Sequence, residues 1–347
     1  MSPIRLTFAD GITAQATALD RIAEHVEQEL DRLDPQMLDV RTPTFLAMGA
    51  SHAALAGAIL DLRAGGVRAE RALASEASHV TRADLVVAVS QGGRSAETLA
   101  ALESVDVPTL GLVNVADSPL EATVDVTVGL GEEPDSYAST VGLTGTCIAL
   151  ERLTARMLGG RPSPWVGIGD LVRGVVADAT PIMRDLAVRC TGTGVVAADV
   201  VASGAGLTVV EAVALLLREV VRLPATPAVT RNYLHGAMES AGRSLHIVVG
   251  DGREVALART LAGAGHLTLL VTTRDVERDG ALEVLRLPEV TGAPRTVAEI
   301  VALQVLAGEL AAAAGVDVEA FVFANDDTKA GGVDPGDFAI ASPRLDA

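Results

Sequence analysis

The chain has 347 residues, 49% hydrophobic and 21% charged, a composition that buries a sizeable core and, at this length, suggests about two domains. A formal net charge of -18 disfavours nucleic acid and anionic membranes as partners, and 2% aromatics leave little for base- or sugar-stacking surfaces. The two cysteines, Cys147 and Cys190, lie far apart and outside any CxxC, which excludes a disulfide scaffold and a cysteine-rich zinc site. No apolar run is expected to reach membrane-spanning length and the N-terminus lacks a leader pattern, so a soluble, cytoplasmic protein is expected.

Helical periodicity runs through residues 10–34 (Ile12, Ala16, Leu19, Ile22, Ala23, Val26, Leu30). An apolar strand is expected at 44–48, followed by Gly49-Ala50-Ser51 and an alanine-rich helix to about Ala64. Strands follow at 67–72, 85–89, 109–113 and 124–128, with a helix over 95–102 and a longer one over 139–157. The Gly/Pro stretch 159–164 breaks the pattern. Alternation resumes with strands at 195–198, 245–249 and 267–271 and helices at 207–221, 253–264 and 297–314. The expected fold is therefore α/β: two similar units, each a doubly wound, mainly parallel sheet flanked by helices, plus a tail. The expected boundaries are a helical segment 1–37, a first domain 38–158, a linker and helix 159–184, a second domain 185–315 and a tail 316–347.

Of 27 basic residues only Lys329 is a lysine. Codon bias in a GC-rich genome explains the missing lysines but not the survivor. An exposed cation can be Arg or Lys, whereas an imine-forming amine cannot be Arg, because guanidinium stays protonated. Lys329 is thus a candidate for chemistry.

The strand ending at Val89 runs into Ser90-Gln91-Gly92-Gly93-Arg94-Ser95 and a helix start. Hydroxyls, glycines and free backbone N–H groups at the carboxyl edge of a sheet make an anion site. The competing reading is a plain Gly-rich turn with Ser95 as N-cap. Gly49-Ala50-Ser51, also at a strand end, is a candidate second wall. His52, His79, His246 and His266 lack metal-ligand spacing, so no metal site is expected and no cofactor is implied. Val-Val-Gly-Asp-Gly at 248–252 lacks a full dinucleotide fingerprint and reads as a structural turn.

Leu-Ala-Met-Gly-Ala-Ser (46–51), Ala-Ser-Glu (74–76) and Val-Ser-Gln-Gly-Gly-Arg-Ser-Ala-Glu-Thr-Leu (89–99) resemble the sugar isomerase (SIS) domain family in order and spacing. Within it the chain resembles the isomerase half of the glutamine–fructose-6-phosphate aminotransferases, which carries two tandem SIS domains and a catalytic tail. Tyr-Ala-Ser-Thr (137–140), Leu-Arg-Glu (217–219), Leu-His-Gly (234–236) and Gly-Val-Asp-Val-Glu (315–319) extend the likeness over about residues 40–330.

The resemblance implies Glu219 as the base moving a proton between sugar C1 and C2, His235 as the ring-opening acid/base, and Lys329 as ring opener or imine former. It implies that Ser51, Ser90, Gln91, Gly92, Gly93, Ser95, Tyr137 and Ser139 hold phosphate and sugar oxygens, and that His235 reaches a neighbouring subunit's site in a homodimer. The chain opens Met1-Ser2-Pro3 without a cysteine nucleophile, so no glutaminase step is expected. That leaves an isomerase, deaminase or deglycase acting on an amino-sugar phosphate or sugar–amine adduct. The alternatives are a simple ketose–aldose isomerase or a non-catalytic sugar-phosphate sensor.

Gly92 and Ala50 stand where many family members have hydroxyls, which weakens the expected phosphate grip. Arg94 is a candidate replacement, and Arg231 and Lys329 are further candidate cations. Leu216 replaces a family lysine. The second unit keeps no clear phosphate loop, so one site per chain is expected.

Overall fold

The computed structural model describes residues 5–77, 82–323 and 325–332. The chain divides into two compact units, Met1–Val166 with Glu319–Ala347, and Gly167–Val318.

The first unit opens with α1 (Phe8–Asp31), whose N-cap Thr7 accepts from the Asp10 N–H. It then alternates β1 (Thr44–Ala47), α2 (Gly49–Ala64), β2 (Glu70–Leu73), β3 (Val86–Val89), α3 (Ala96–Leu102), β4 (Thr109–Val113), β5 (Val126–Gly129) and α4 (Val141–Met157). The strands form one parallel sheet ordered β2-β1-β3-β4-β5. β1, β3 and β4 are buried along their whole length, as expected for apolar runs covered on both faces. The order reverses between β1 and β3, and Ala47 pairs with Val89. The loops after these two strands are therefore neighbours at the carboxyl edge, where this topology opens a crevice.

The second unit contains α5 (Ile168–Thr193), β6 (Ala197–Ala202), α6 (Leu207–Leu216), β7 (Ala225–Val229), α7 (Thr230–Tyr233), β8 (Ser244–Val249), α8 (Arg253–Gly263), β9 (Thr268–Thr272), β10 (Leu282–Arg286) and α9 (Ala293–Ala314). Its parallel sheet runs β7-β6-β8-β9-β10, the same order as the first read strand for strand. Two strands, both edges of this second sheet, escape a sequence reading. β7 contains Pro227 and is half exposed, and β10 ends on exposed Arg286.

One sequence expectation is corrected here. α9 is 22 residues long and apolar enough to cross a membrane by length and composition, but 72% of its apolar window is buried inside the protein. It packs against α5 and α6, so its hydrophobicity all round is that of a core helix.

Candidate active site

The Ser90–Ser95 loop is built by short-range bonds. Ser90 N–H continues the sheet to the Leu112 carbonyl at 3.1 Å, and Gly93 N–H turns back to the Ser90 carbonyl at 2.9 Å. Gly93 sits at φ +64, and a Cβ there would lie 2.2 Å from Ser118 Oγ, so both conformation and space require glycine. Gly92 is different: a Cβ there meets nothing within 4 Å. The carbonyls of Gln91 and Gly93 accept from Asn114 (2.8 Å) and Leu120 (3.0 Å). Among the described residues, the N–H groups of Gln91, Gly92 and Arg94 have no acceptor. Free backbone N–H groups gathered in one turn are the kind of group that binds an anion.

Ser95 serves both readings of the loop. Its hydroxyl caps α3 by accepting from Thr98 N–H (3.4 Å) and Thr98 Oγ1 (3.0 Å), and its own N–H approaches Ser90 Oγ at 3.5 Å. The second wall comes from α2. Met48 provides no side-chain cap, and the hydroxyl of Ser51, in the first turn, has no partner among the described residues. The first-turn N–H groups of this long helix thus remain available to an anion.

Gln91 and Ser139 come together through Gly142 in the first turn of α4. A Cβ on Gly142 would lie 2.7 Å from Gln91 Cγ, 2.4 Å from Asp135 Oδ2 and 2.9 Å from Ser139 Oγ. Asp135, which sequence reasoning missed, organises this corner. It accepts from Ser139 Oγ at 2.6 Å and from the N–H and hydroxyl of Thr140 at 2.9 and 3.0 Å. Burial raises its pKa against the lowering effect of those bonds. Ser139 is therefore oriented by Asp135, and what it offers a ligand is its lone pairs. Tyr137 packs against the tail: its ring centroid is 4.2 Å from that of Phe321, with the Arg5 guanidinium 4.7 Å above it.

The tail runs along this edge of the first unit. Glu319 accepts from the Phe8 N–H at 2.8 Å. Farther on, Lys329 forms an antiparallel bridge with Ser95, and Ala330 N–H donates to the Arg94 carbonyl at 2.8 Å. Lys329 is exposed, and its ammonium has no partner among the described residues. Arg94 does not fill the place of the missing phosphate hydroxyls. Its guanidinium donates instead to the carbonyls of Ala330 and Gly332. Chain beyond Gly332 lies outside the described residues.

Glu219 and His235 belong to the second unit. Glu219 lies in a π-turn, Leu217–Val221, that widens the end of α6. The N–H groups of Arg222 (φ +58) and Leu223 both donate to the Leu217 carbonyl, and Pro224 prevents continuation. Isolated π-turns often mark functional sites. Burial alone pushes the Glu219 carboxyl up to about 7, where a carboxylate can take and return a proton near neutral pH. His235 is exposed, with no side-chain partner among the described residues. Two residues earlier, Tyr233 is a buried anchor whose hydroxyl is 2.8 Å from Asp199 Oδ2 and 3.0 Å from His246 Nδ1. Arg231 is exposed on the same short helix.

The matching edge of the second sheet is filled from within. Glu254, buried in the first turn of α8, accepts from Ser203 Oγ (2.9 Å), Thr230 Oγ1 (2.6 Å) and Gly252 N–H (3.3 Å). Burial would raise its pKa, but the bonds from Thr230, its own backbone, Ser203 and Gly252 win and hold it below the ordinary value. The turn at 248–252 is tied down by Gly252 N–H donating to Glu254 and by Asp251 accepting from Thr272 Oγ1 and Thr273 N–H.

Residues 41–156 match the family model of the SIS domain, which bears out the resemblance over the first unit's sheet. No curated protein matches the sequence. Among solved structures, the C-terminal domain of glucosamine-fructose-6-phosphate aminotransferase from Francisella tularensis superposes with a TM-score of 0.78 at 19% identity, covering 90% of this chain and 97% of that one. Glucosamine-6-phosphate deaminase from Thermotoga maritima gives 0.67 at 17%, covering 90% and 96%. Tagatose-6-phosphate ketose/aldose isomerase from Escherichia coli gives 0.71 at 14%, covering 98% and 97%. At these identities the likeness establishes the fold.

Proposed function

With an SIS domain in the first unit, we propose that the chain is a phosphosugar isomerase acting on an amino-sugar phosphate or a sugar–amine adduct, with deaminase or deglycase chemistry. The observation that carries this reading is the sole lysine, whose backbone bridges to Ser95 beside the free N–H groups of the phosphate-type loop. A flexible tail ending elsewhere would have made Lys329 an ordinary surface charge.

In this reading the loop N–H groups and Ser90 bind phosphate, with Ser51, Gln91, Ser95, Tyr137 and Ser139 around the sugar. His235 transfers the proton that opens the ring. The Lys329 amine adds to the open-chain C2 carbonyl, and loss of water leaves an imine. Ammonia or the substrate's amine then exchanges with Lys329 on that carbon, so the lysine is released before the proton shift; in the deamination direction water hydrolyses the lysine imine after the amine has left. Glu219, ionised, takes the proton from one of C1 and C2 and returns it to the other. Its pKa of about 7 lets the same group act as base and then as acid. The second unit acts as a second SIS domain that supplies Glu219 and His235 to the chemistry and no anion site of its own. A cytoplasmic homodimer in which His235 serves the partner's site completes the proposal.

The test is to incubate the protein with fructose 6-phosphate plus ammonia, and separately with glucosamine 6-phosphate, in deuterated water, and follow products by NMR. Deuterium at C1 or C2 together with ammonia uptake or release is the expected result. Deuterium without nitrogen exchange reduces the reading to a simple ketose–aldose isomerase, and binding without either makes the protein a sensor.

A further inference from the structure

The loop assigned to phosphate also holds the tail, and one of its residues, Arg94, makes several of the bonds. Arg94 Nε and Nη2 lie 3.0 and 2.8 Å from the Ala330 carbonyl oxygen, and Nη2 lies 2.8 Å from the Gly332 carbonyl oxygen. The Arg94 carbonyl accepts from the Ala330 N–H at 2.8 Å. Arg94 thus grips Ala330 through both its backbone and its side chain, next to the Ser95–Lys329 bridge. A planar guanidinium can reach two carbonyls at once with charge-assisted bonds, which a lysine ammonium on a flexible stem cannot reproduce as well. The result is a lysine with a fixed backbone and an unpartnered amine. Fixing that backbone in advance removes an entropy cost that a mobile tail would meet in every turnover.

We propose that Arg94 is a positioning residue that clamps the segment 329–332 to the Ser90–Ser95 loop and so presents Lys329 from a fixed backbone beside the anion site. The catalytic consequence rests on the reading of Lys329 given above; the clamp itself does not.

The single lysine supplies the test. A lysine-specific endoproteinase can cut this chain only at Lys329–Ala330, inside the clamp. In Arg94→Ala and Arg94→Gln, cutting is expected to be at least about tenfold faster than in the wild type, because charge-assisted bonds to both carbonyls are lost. Hydrogen exchange over 329–332 should accelerate in parallel, while the melting temperature shows that the variants are folded. In turnover of the sugar phosphate, Arg94→Ala should lower kcat at least about tenfold while KM stays within about threefold, and Arg94→Lys should recover part of the loss. Equal cutting rates in wild type and variants would overturn the clamp. Faster cutting with unchanged kcat would overturn the positioning role. A wild type that turns over no sugar phosphate would refute the proposed function, and the cutting rates would still decide the clamp.

Discussion

At the carboxyl edge of the first sheet, Gln91, Gly92 and Arg94 keep N–H groups without acceptors among the described residues, whereas at the matching place in the second sheet Glu254 already engages Ser203, Thr230 and Gly252. The strand orders are the same, so the difference lies in the loops. The first loop runs from Ser90 to its helix cap, Ser95, while the second, from Gly250 to its cap, Gly252, is half as long. The short loop lets Glu254 fold back over it: a Cβ on Gly250 would lie 2.8 Å from Glu254 Cγ. Loop length and one first-turn acid therefore distinguish the edge whose N–H groups are free from the edge whose hydroxyls are already engaged. In this chain the first unit keeps N–H groups free for the proposed cradle, and in the second, burial pushes the Glu219 carboxyl up to about 7.

The largest expected effect breaks the second unit's contribution. Glu219→Gln should lower kcat by about 10²–10⁴-fold, the usual worth of a general base, with sugar-phosphate affinity unchanged. In the wild type, kcat should climb through about pH 7 as the buried carboxyl ionises, a limb the variant lacks; steady-state rates against pH measure both.

Next in size is the first unit's cradle. Gly93→Ala puts a Cβ 2.2 Å from Ser118 Oγ at positive φ, a strain of about 1–3 kcal/mol that the loop relieves by moving. Phosphate affinity should fall about tenfold or more by calorimetry. The same size of stability loss in the second unit should leave binding alone. Glu254→Ala strips the acceptor from Ser203, Thr230 and Gly252, a cost of about 1–3 kcal/mol read in the melting temperature, with sugar-phosphate affinity essentially unchanged. The smallest effect sharpens the contrast: Gly92→Ser places a hydroxyl in open space at the cradle and should tighten phosphate binding about threefold to tenfold by calorimetry.

Much of this was legible before any coordinates. Apolar runs announce β1, β3 and β4 because both faces are covered, and the hydroxyl–glycine run at 90–95 announces a loop that binds or caps; Ser95 caps. The edges of the second sheet were not legible, since Pro227 in β7 and the half-polar β10 break the strand signal. Nor was the 26-residue length of α5, which carries Pro181 inside it. Asp135 stands alone in a coil and acquires meaning only when α4 brings Ser139, Thr140 and Gln91 to it. Glu254 looks like any acid in a first helical turn, and its role depends on hydroxyls from β6 and β7 loops distant in sequence. By charge, Arg94 is a candidate replacement for the missing phosphate hydroxyls. Its partners prove to be carbonyls of a segment far along the chain, a contact no local pattern encodes.

A crystal of the protein with fructose 6-phosphate bound decides most directly which of the two sheet edges is the working one. The phosphate should lie within hydrogen-bond distance of Ser90 and the N–H groups of Gln91 and Gly92, with Glu254 still bonded to Ser203 and Thr230. Phosphate seated against Ser203 and Gly252, or anywhere away from the Ser90–Ser95 loop, would contradict it.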